Sequence, residues 1–379
     1  PRLRKNSMSD HVLLAGISTR ALAQSAIKAG YRVTSLDFFG DSDQPSDARV
    51  LSLVRDLHLP PTLLNLAEAA STLAGGVDTI VVESGLENEP AFFALLPPEK
   101  LLVNTLESIR GVRDPGQLKA ALAGTGMQFP NTYTHGMALP QSGRYLRKDL
   151  THSGGMGVTE WDPNRPLLEG EIVQEFIEGE LSSACFIADG KKAILLGISR
   201  QYAGEKALGA PPYAWCGNVT IPGPVPAQGE IEEALQALVS AFGLVGLNGI
   251  DFIIQDGIPW LIEVNPRPPA SFELYEKASG INAFQLHKNA CLGSLPDILP
   301  ATSGFTCYGK GILYTEKDVR PGDTSSWGRQ AIADIPHSGE EIPTGAPVCT
   351  LLAQGTSPEA CWQRILVKTD WLRSTYLTR

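Results

Sequence analysis

Glu263-Val-Asn-Pro-Arg267 closes the apolar run Pro259-Trp-Leu-Ile and sets a carboxylate, an amide and a guanidinium close together. Glu263 and Asn265 are two apart, so in an extended strand both side chains leave the same face. The preceding run Gly249-Ile-Asp-Phe-Ile-Ile254 joins it through Gln255-Asp-Gly-Ile258, which predicts a β-hairpin with Asp251 sharing that face. Asp251, Glu263 and Asn265 would form a hard oxygen site of the kind that holds Mg2+ with nucleotide phosphates. A solvated polar strand end is the plainer alternative. The Glu-x-Asn spacing, with a second carboxylate on the partner strand, favours the metal. Arg267 can grip a phosphoryl or carboxylate oxygen with paired hydrogen bonds, and so is a candidate catalytic residue that offsets charge during a reaction.

Two further segments carry chemistry. Lys148 ends a predicted strand, and Ser153-Gly-Gly-Met-Gly157 follows it. Ser153, Gly154, Gly155 and Gly157 would let backbone N–H groups approach phosphate oxygens, although no Gly-Lys-Ser/Thr ends the loop and it is not a Walker A sequence. Taken alone it could equally be a simple turn; the lysine upstream and the acidic strand downstream favour a phosphate lid. In Gln174-Glu-Phe-Ile-Glu-Gly-Glu180, a strand runs into a short linker and a glycine. Main-chain groups of Gln174, Glu175, Phe176 and Ile177 can face an adenine edge there, and Glu180 can take the ribose hydroxyls; alone this is a common kind of strand end.

These residues need a framework. His11-Val-Leu-Leu-Ala15, a helix over 19–29 and Tyr31-Arg-Val-Thr-Ser-Leu36 read as a βαβ unit, hence a parallel sheet, with further strands at Thr79–Val82 and Leu101–Val103. The turn Gly16-Ile-Ser-Thr-Arg20 lacks the GxGxxG spacing, so dinucleotide binding is not supported. Beyond a helix that starts near Arg113, strands are expected at 144–147, 172–177, 183–187 and 193–196. A long Pro- and Gly-rich loop over 209–229 and a helix over 231–242 follow. Past Leu299 the chain reads as strands and turns, at Gly311–Tyr314 and Pro347–Leu352. The fold class is α+β with an α/β N-terminal part.

Composition narrows the function further. A formal net charge of −10 argues against a general nucleic-acid or anionic-membrane surface. No uninterrupted apolar span is long enough for a transmembrane helix, and no apolar secretory core stands at the N-terminus. Six scattered cysteines without a CxxC pair fit a reducing cytoplasm better than zinc or disulfides. Residues 1–7 read as a remnant ahead of a native start at Met8.

In its combination and order, lysine with glycine loop, QEFIEGE-type linker, then Asp251 and Glu263–Arg267, the sequence resembles the ATP-grasp superfamily of carboxylate–amine ligases over about residues 9–315. The resemblance implies a Rossmann-like pre-ATP-grasp domain over 9–112, an ATP-grasp domain over 113–299 and a β-rich extension over 300–379. It implies ATP and Mg2+ as cofactors, ATP between two α+β subdomains, Lys148 and the 153–157 loop on phosphate, 174–177 on adenine, Glu180 on ribose, and Asp251, Glu263 and Asn265 on magnesium. The Asn-Pro-Arg ending is similar to that of carbamoyl-phosphate synthetases and biotin carboxylases, where the arginine faces the acyl phosphate or bicarbonate. Two positions depart from the family. Asp114-Pro115 replaces the usual Asp-Lys pair, leaving Arg113 or Lys119 to supply a second cation, and Asn248-Gly249-Ile250 lacks the arginine that D-alanine ligases place before the metal aspartate.

Gly16–Arg20, Ser35-Leu-Asp-Phe-Phe-Gly-Asp41, Glu83-Ser-Gly-Leu-Glu87 and Pro268-Pro-Ala-Ser-Phe-Glu273 resemble a narrower group with tyramine–glutamate ligase and proteins associated with methanofuran- and tetrahydromethanopterin-type cofactors. The expected chemistry is a two-step ligation: a carboxylate takes the γ-phosphoryl group of ATP, and an amine then attacks the acyl phosphate. Arg200, Ser271 and Glu273 are candidate substrate residues, with His152 or Glu273 as candidate bases. The partners are small-molecule carboxylate and amine, glutamate being one candidate acid, with a homodimer as the default assembly. Carboxyphosphate formation in the manner of a biotin carboxylase, or ATP binding without turnover, are the competing readings.

Overall fold

The computed structural model describes residues 10–85, 88–300 and 304–376; residues 1–9, with the expected remnant and Met8, and Leu86 and Glu87 of the 83–87 motif lie outside them. The chain opens with β1 (His11–Ala15), α1 (Arg20–Lys28), β2 (Arg32–Asp37), β3 (Arg49–Ser52), α2 (Leu63–Leu73), β4 (Thr79–Val82), α3 (Ala91–Leu95) and α4 (Leu106–Gly111). The strands form a parallel sheet in the order β3-β2-β1-β4. Val12, Leu13, Leu14 and Ala15 are all fully buried, as expected of a strand covered by helices on both faces. Leu101, expected within a strand, makes only a single parallel bridge to Ile80.

Next come α5 (Pro115–Ala121), β5 (Thr132–Thr134), β6 (Tyr145–Asp149), β7 (Val158–Glu160) and β8 (Glu171–Glu175), whose strands make an antiparallel sheet in the order β5-β8-β6-β7. The third group is β9 (Glu180–Asp189), β10 (Ala193–Ala203), β11 (Trp215–Thr220), α6 (Gln228–Phe242), β12 (Val245–Gln255), β13 (Ile258–Asn265), α7 (Phe272–Ser279), α8 (Ala283–Cys291), β14 (Cys307–Tyr314), β15 (Ile332–Ala333), β16 (Pro347–Gly355) and α9 (Pro358–Tyr376). Its strands form an eight-stranded sheet, β13-β12-β9-β10-β11-β14-β16-β15. The fold is α+β.

Two expectations are corrected here. The segment 209–229 is not a continuous loop, because β11 runs through it and pairs with β10 and β14. Cys216, Gly217, Asn218, Val219 and Thr220 are all buried, so no apolar–polar alternation marks the strand. The stretch after Leu299 also ends in the long helix α9, whose buried side includes Cys361, Trp362, Ile365, Thr369 and Leu372. Trp362 stacks on Tyr202 of β10, with ring centroids 3.6 Å apart. The C-terminal strands continue the same sheet that carries β12 and β13. Phe284, Phe272 and Tyr275 join Val12, Leu14, Leu22 and Ala26 in one core cluster, which packs the N-terminal parallel sheet against α7 and α8.

Candidate active site

The β12–β13 hairpin forms with its predicted turn. Asp251 stands directly opposite Glu263, and Gly249 opposite Asn265. The Asn265 amide nitrogen donates to Asp251 Oδ2 at 3.3 Å, and Arg267 Nη2 donates to Asn265 Oδ1 at 3.3 Å. Burial, followed by the facing Glu263 carboxylate, pushes Asp251 up to about 7, against hydrogen bonds from Asn265 and Gln201 and the charge of Arg267. A pair of carboxylates held together in this way is ready for a divalent cation. Among the described residues no group of three or more His, Cys, Asp or Glu side chains is placed to hold a metal, and the polar side chain next to the carboxylate pair is the amide of Asn265. Asn265 fits the part of a third donor once its amide turns its oxygen inward. Gln201, on β10, has a buried Oε1 without a hydrogen-bond partner in the same cavity wall. Sequence reading missed Gln201; β10 alternates, with Gln201 on the cavity and Arg200 turned away from it.

The cavity measures about 1020 Å3. Its walls come from the β5–β8 sheet on one side and the eight-stranded sheet on the other. Lys148 lies in the wall and donates to Gln174 Oε1 at 2.5 Å. Enclosure lowers its pKa, while the charges of Glu263 and Asp251 work in the opposite direction. One cation and two carboxylates therefore face the same space. Ser153, Gly154, Gly155 and Gly157 line it too. Gly154 O accepts from Trp215 N at 2.8 Å, and a Cβ on Gly155, at φ +76°, would lie 2.1 Å from Tyr213 O. The glycine loop is thus clasped by the entry to β11.

Gln174, Glu175, Phe176 and Ile177 line the cavity, as do Glu178 and Gly179. The Arg144 guanidinium covers the Phe176 ring at 3.5 Å. Glu180 does not join them: it pairs with Arg200 at 3.2 Å, and Arg200 pairs with Glu359 at 2.6 Å, outside the cavity lining. The structure therefore places Glu180 and Arg200 outside the cavity, and Glu175 and Glu178 are the acids of that linker on its wall. Ser271 lines the cavity. Glu273 is buried instead, accepting from Lys310 at 2.5 Å and from Arg20 at 3.3 Å, where it ties α7 to β14 and α1 rather than lining the cavity. His152 lies in the wall, 3.1 Å from Asp149. The departure at 114–115 has a structural reason: Asp114 Oδ1 accepts from Gln117 N at 3.0 Å and Pro115 opens α5, so this pair caps a helix. Arg113 lines the cavity beside it, while Lys119 is exposed elsewhere.

The site is thus a cleft between two antiparallel sheets, with a facing carboxylate pair, a lysine and a glycine loop on its walls. Residues 113–271 match the ATP-grasp domain family. An uncharacterized protein of Methanocaldococcus jannaschii is 25% identical over 90% of this chain and 88% of its own length. Among solved structures, the L-amino acid ligase of Bacillus licheniformis has the same fold at TM-score 0.66 and 16% identity, covering 96% of this chain and 98% of that one. The biotin carboxylase domain of Hydrogenobacter thermophilus 2-oxoglutarate carboxylase, solved with MgADP and bicarbonate, superposes at TM-score 0.68 and 14% identity, covering 98% and 91%.

Proposed function

We propose that the protein is an ADP-forming ligase that uses Mg2+ and ATP to join a small carboxylic acid to an amine through an acyl phosphate. The observation that carries this reading is the Asp251–Glu263 pair facing Lys148 and the glycine loop across one cavity. Asp251 and Glu263, with Asn265, would hold the magnesium, which supplies charge neutralisation between phosphates. Lys148 and the backbone N–H groups of 153–157 would receive phosphate oxygens, and the 174–177 linker the adenine. Arg267, hydrogen-bonded to Asn265, would meet the oxygen atoms of the acyl group. The Gly154–Trp215 clasp would exclude water from a hydrolysable anhydride.

The domain limits 9–112, 113–299 and 300–379 belong to the same proposal, as do the homodimer and the cytoplasmic setting. Among the described residues no helix is long and apolar enough to cross a membrane. A role in assembling a one-carbon cofactor, with glutamate as one candidate acid, is supported by the 16–20, 35–41 and 268–273 motifs. The deciding assay is ADP release from Mg-ATP against a matrix of amino acids and amines. The expected result is release that requires both a carboxylate and an amine. ATP hydrolysis stimulated by bicarbonate alone would overturn the ligase reading in favour of carboxyphosphate formation.

A further inference from the structure

The cavity continues past Arg267 to a second end, lined by Ser18, Asp41, Glu83, Ser84, Ser271 and Asp334. It lies beyond the carboxyl ends of β1 and β4. In the order β3-β2-β1-β4 the chain leaves β1 toward β2 and β3 and then returns across the sheet to β4 on the other side of β1, and the crevice at such a switch point is where open α/β sheets receive ligands. Carboxylates crowd this region, and most already have partners. Asp37 accepts from Thr19, Phe39, Gly40 and Gln44. Asp43 accepts from the backbone of Asp334 and Ile335, Asp334 pairs with Arg20 at 2.8 Å, and Glu273 takes Arg20 and Lys310. Two acids are left over. Glu83 is 8% exposed, and its buried Oε1 has no hydrogen-bond partner among the described residues. Asp41 is 9% exposed, and its carboxylate makes no hydrogen bond or ion pair among the described residues. Among the described residues neither belongs to a cluster arranged to hold a metal. Buried carboxylates without partners are costly, and a ligand that donates N–H groups and carries positive charge removes that cost.

We propose that this end of the cavity binds the acceptor substrate through a cationic primary amine, received by Asp41 and Glu83, with Glu83 taking the proton that frees the amine to react. The inference rests on the ligase reading. The ammonium gives one proton to a Glu83 oxygen. The freed nitrogen lone pair forms the C–N bond to the acyl carbon, and the acyl C–O bond to phosphate breaks. Phosphate leaves with that electron pair and the second nitrogen proton. Arg267 lines the same cavity and acts electrostatically on both Glu83 and Asp251, so one guanidinium is shared by the amine end and the phosphoryl end. Burial, the neighbouring acids and Arg267 leave Glu83 at about 8, a value suited to exchanging a proton with an amine near neutrality.

The test compares matched probes on the full chain by titration calorimetry: putrescine against 1,4-butanediol, and phenethylamine against phenethyl alcohol. The amines are expected to bind and the alcohols not, with Glu83→Gln and Asp41→Asn each weakening amine binding at least about tenfold, as for loss of a charge-assisted hydrogen bond. Amines that bind no better than alcohols, or variants that bind amines as the unsubstituted protein does, would overturn the proposal. Should one variant not fold, the other carries the comparison. A second readout traps the acyl phosphate with hydroxylamine, which is largely uncharged at neutral pH. In Glu83→Gln the ratio of amine-coupled product to hydroxamate should fall at least about tenfold, and an unchanged ratio removes Glu83 from proton transfer. Absence of hydroxamate from the unsubstituted protein with every amino acid tried would sink the ligase reading, while the calorimetric comparison still decides the pocket.

Discussion

Glu263 faces the open cavity, whereas Asp251 opposite it is half-buried, so the two carboxylates contribute differently to folding and to chemistry. Glu263→Gln keeps the shape of the side chain and removes its charge. Thermal melting should be unchanged, while Mg-ATP turnover drops by more than about a hundredfold, beyond the range typical of second-shell changes at metal sites; a fully active variant would refute the metal assignment. Glu83 gives a pH prediction at this scale. Burial, then the charge of Asp37, lifts it from 4.5 to about 8. The folded protein therefore binds a proton there that the unfolded chain releases, so this group's contribution to stability falls as pH rises from about 5 to 8. Urea midpoints across that range should decline less steeply in Glu83→Gln than in the unsubstituted protein. An identical slope would show that Glu83 stays charged when buried.

At the scale of elements, the glycine loop and the entry to β11 are held together. Gly155 sits at positive φ with Tyr213 O where a Cβ would go. Gly155→Ala adds both a left-handed strain of about 1–2 kcal/mol and a clash with backbone that cannot rotate away. ATP affinity should fall by about tenfold or more, read by calorimetry, with the global melting temperature moving by only a few degrees. Gly154→Ala is the internal comparison, because nothing lies within 4 Å of the position its Cβ would take. It should be the milder of the two. Equal effects would point to backbone strain rather than to the Tyr213 contact.

Across the whole molecule, Arg20 is the link that ties α1 to α7 and to the segment before β16. It is 3% exposed and reaches Asp334 at 2.8 Å and Glu273 at 3.3 Å. Against burial, Arg20 and Lys310 hold both carboxylates below their usual range. Folded-state values that are depressed mean stability present above the unfolded value and lost as pH falls through the folded one. Arg20→Met leaves two buried acids short of a partner and should cost about 3–5 kcal/mol at neutral pH, measured by urea denaturation. The loss should shrink in acid as the carboxylates protonate. A pH-independent loss would mean that Arg20 acts through packing.

The sequence alone determined the hairpin, the chemical type of its residues, and the order of lysine, glycine loop and acidic strand. These are local properties, since alternation sets which side chains share a face, and a turn sequence sets where a strand reverses. It could not show β11 or α9, because a strand buried on both sides carries no alternation and a helix with buried cysteine and threonine has only a thin apolar stripe. Tertiary structure alone decided which charged side chains reach the cavity. Arg200, Glu180 and Glu273 look like ligand-binding residues when read along the chain, yet each finds an opposite charge from a distant segment and is used up by it. Gln201 looks unremarkable along the chain and Glu83 stands out only as part of a family-like motif, yet both line the cavity with a polar atom left over among the described residues. Pairing between residues far apart in sequence sets which charges remain for a ligand, and that pairing is fixed only when the sheets pack.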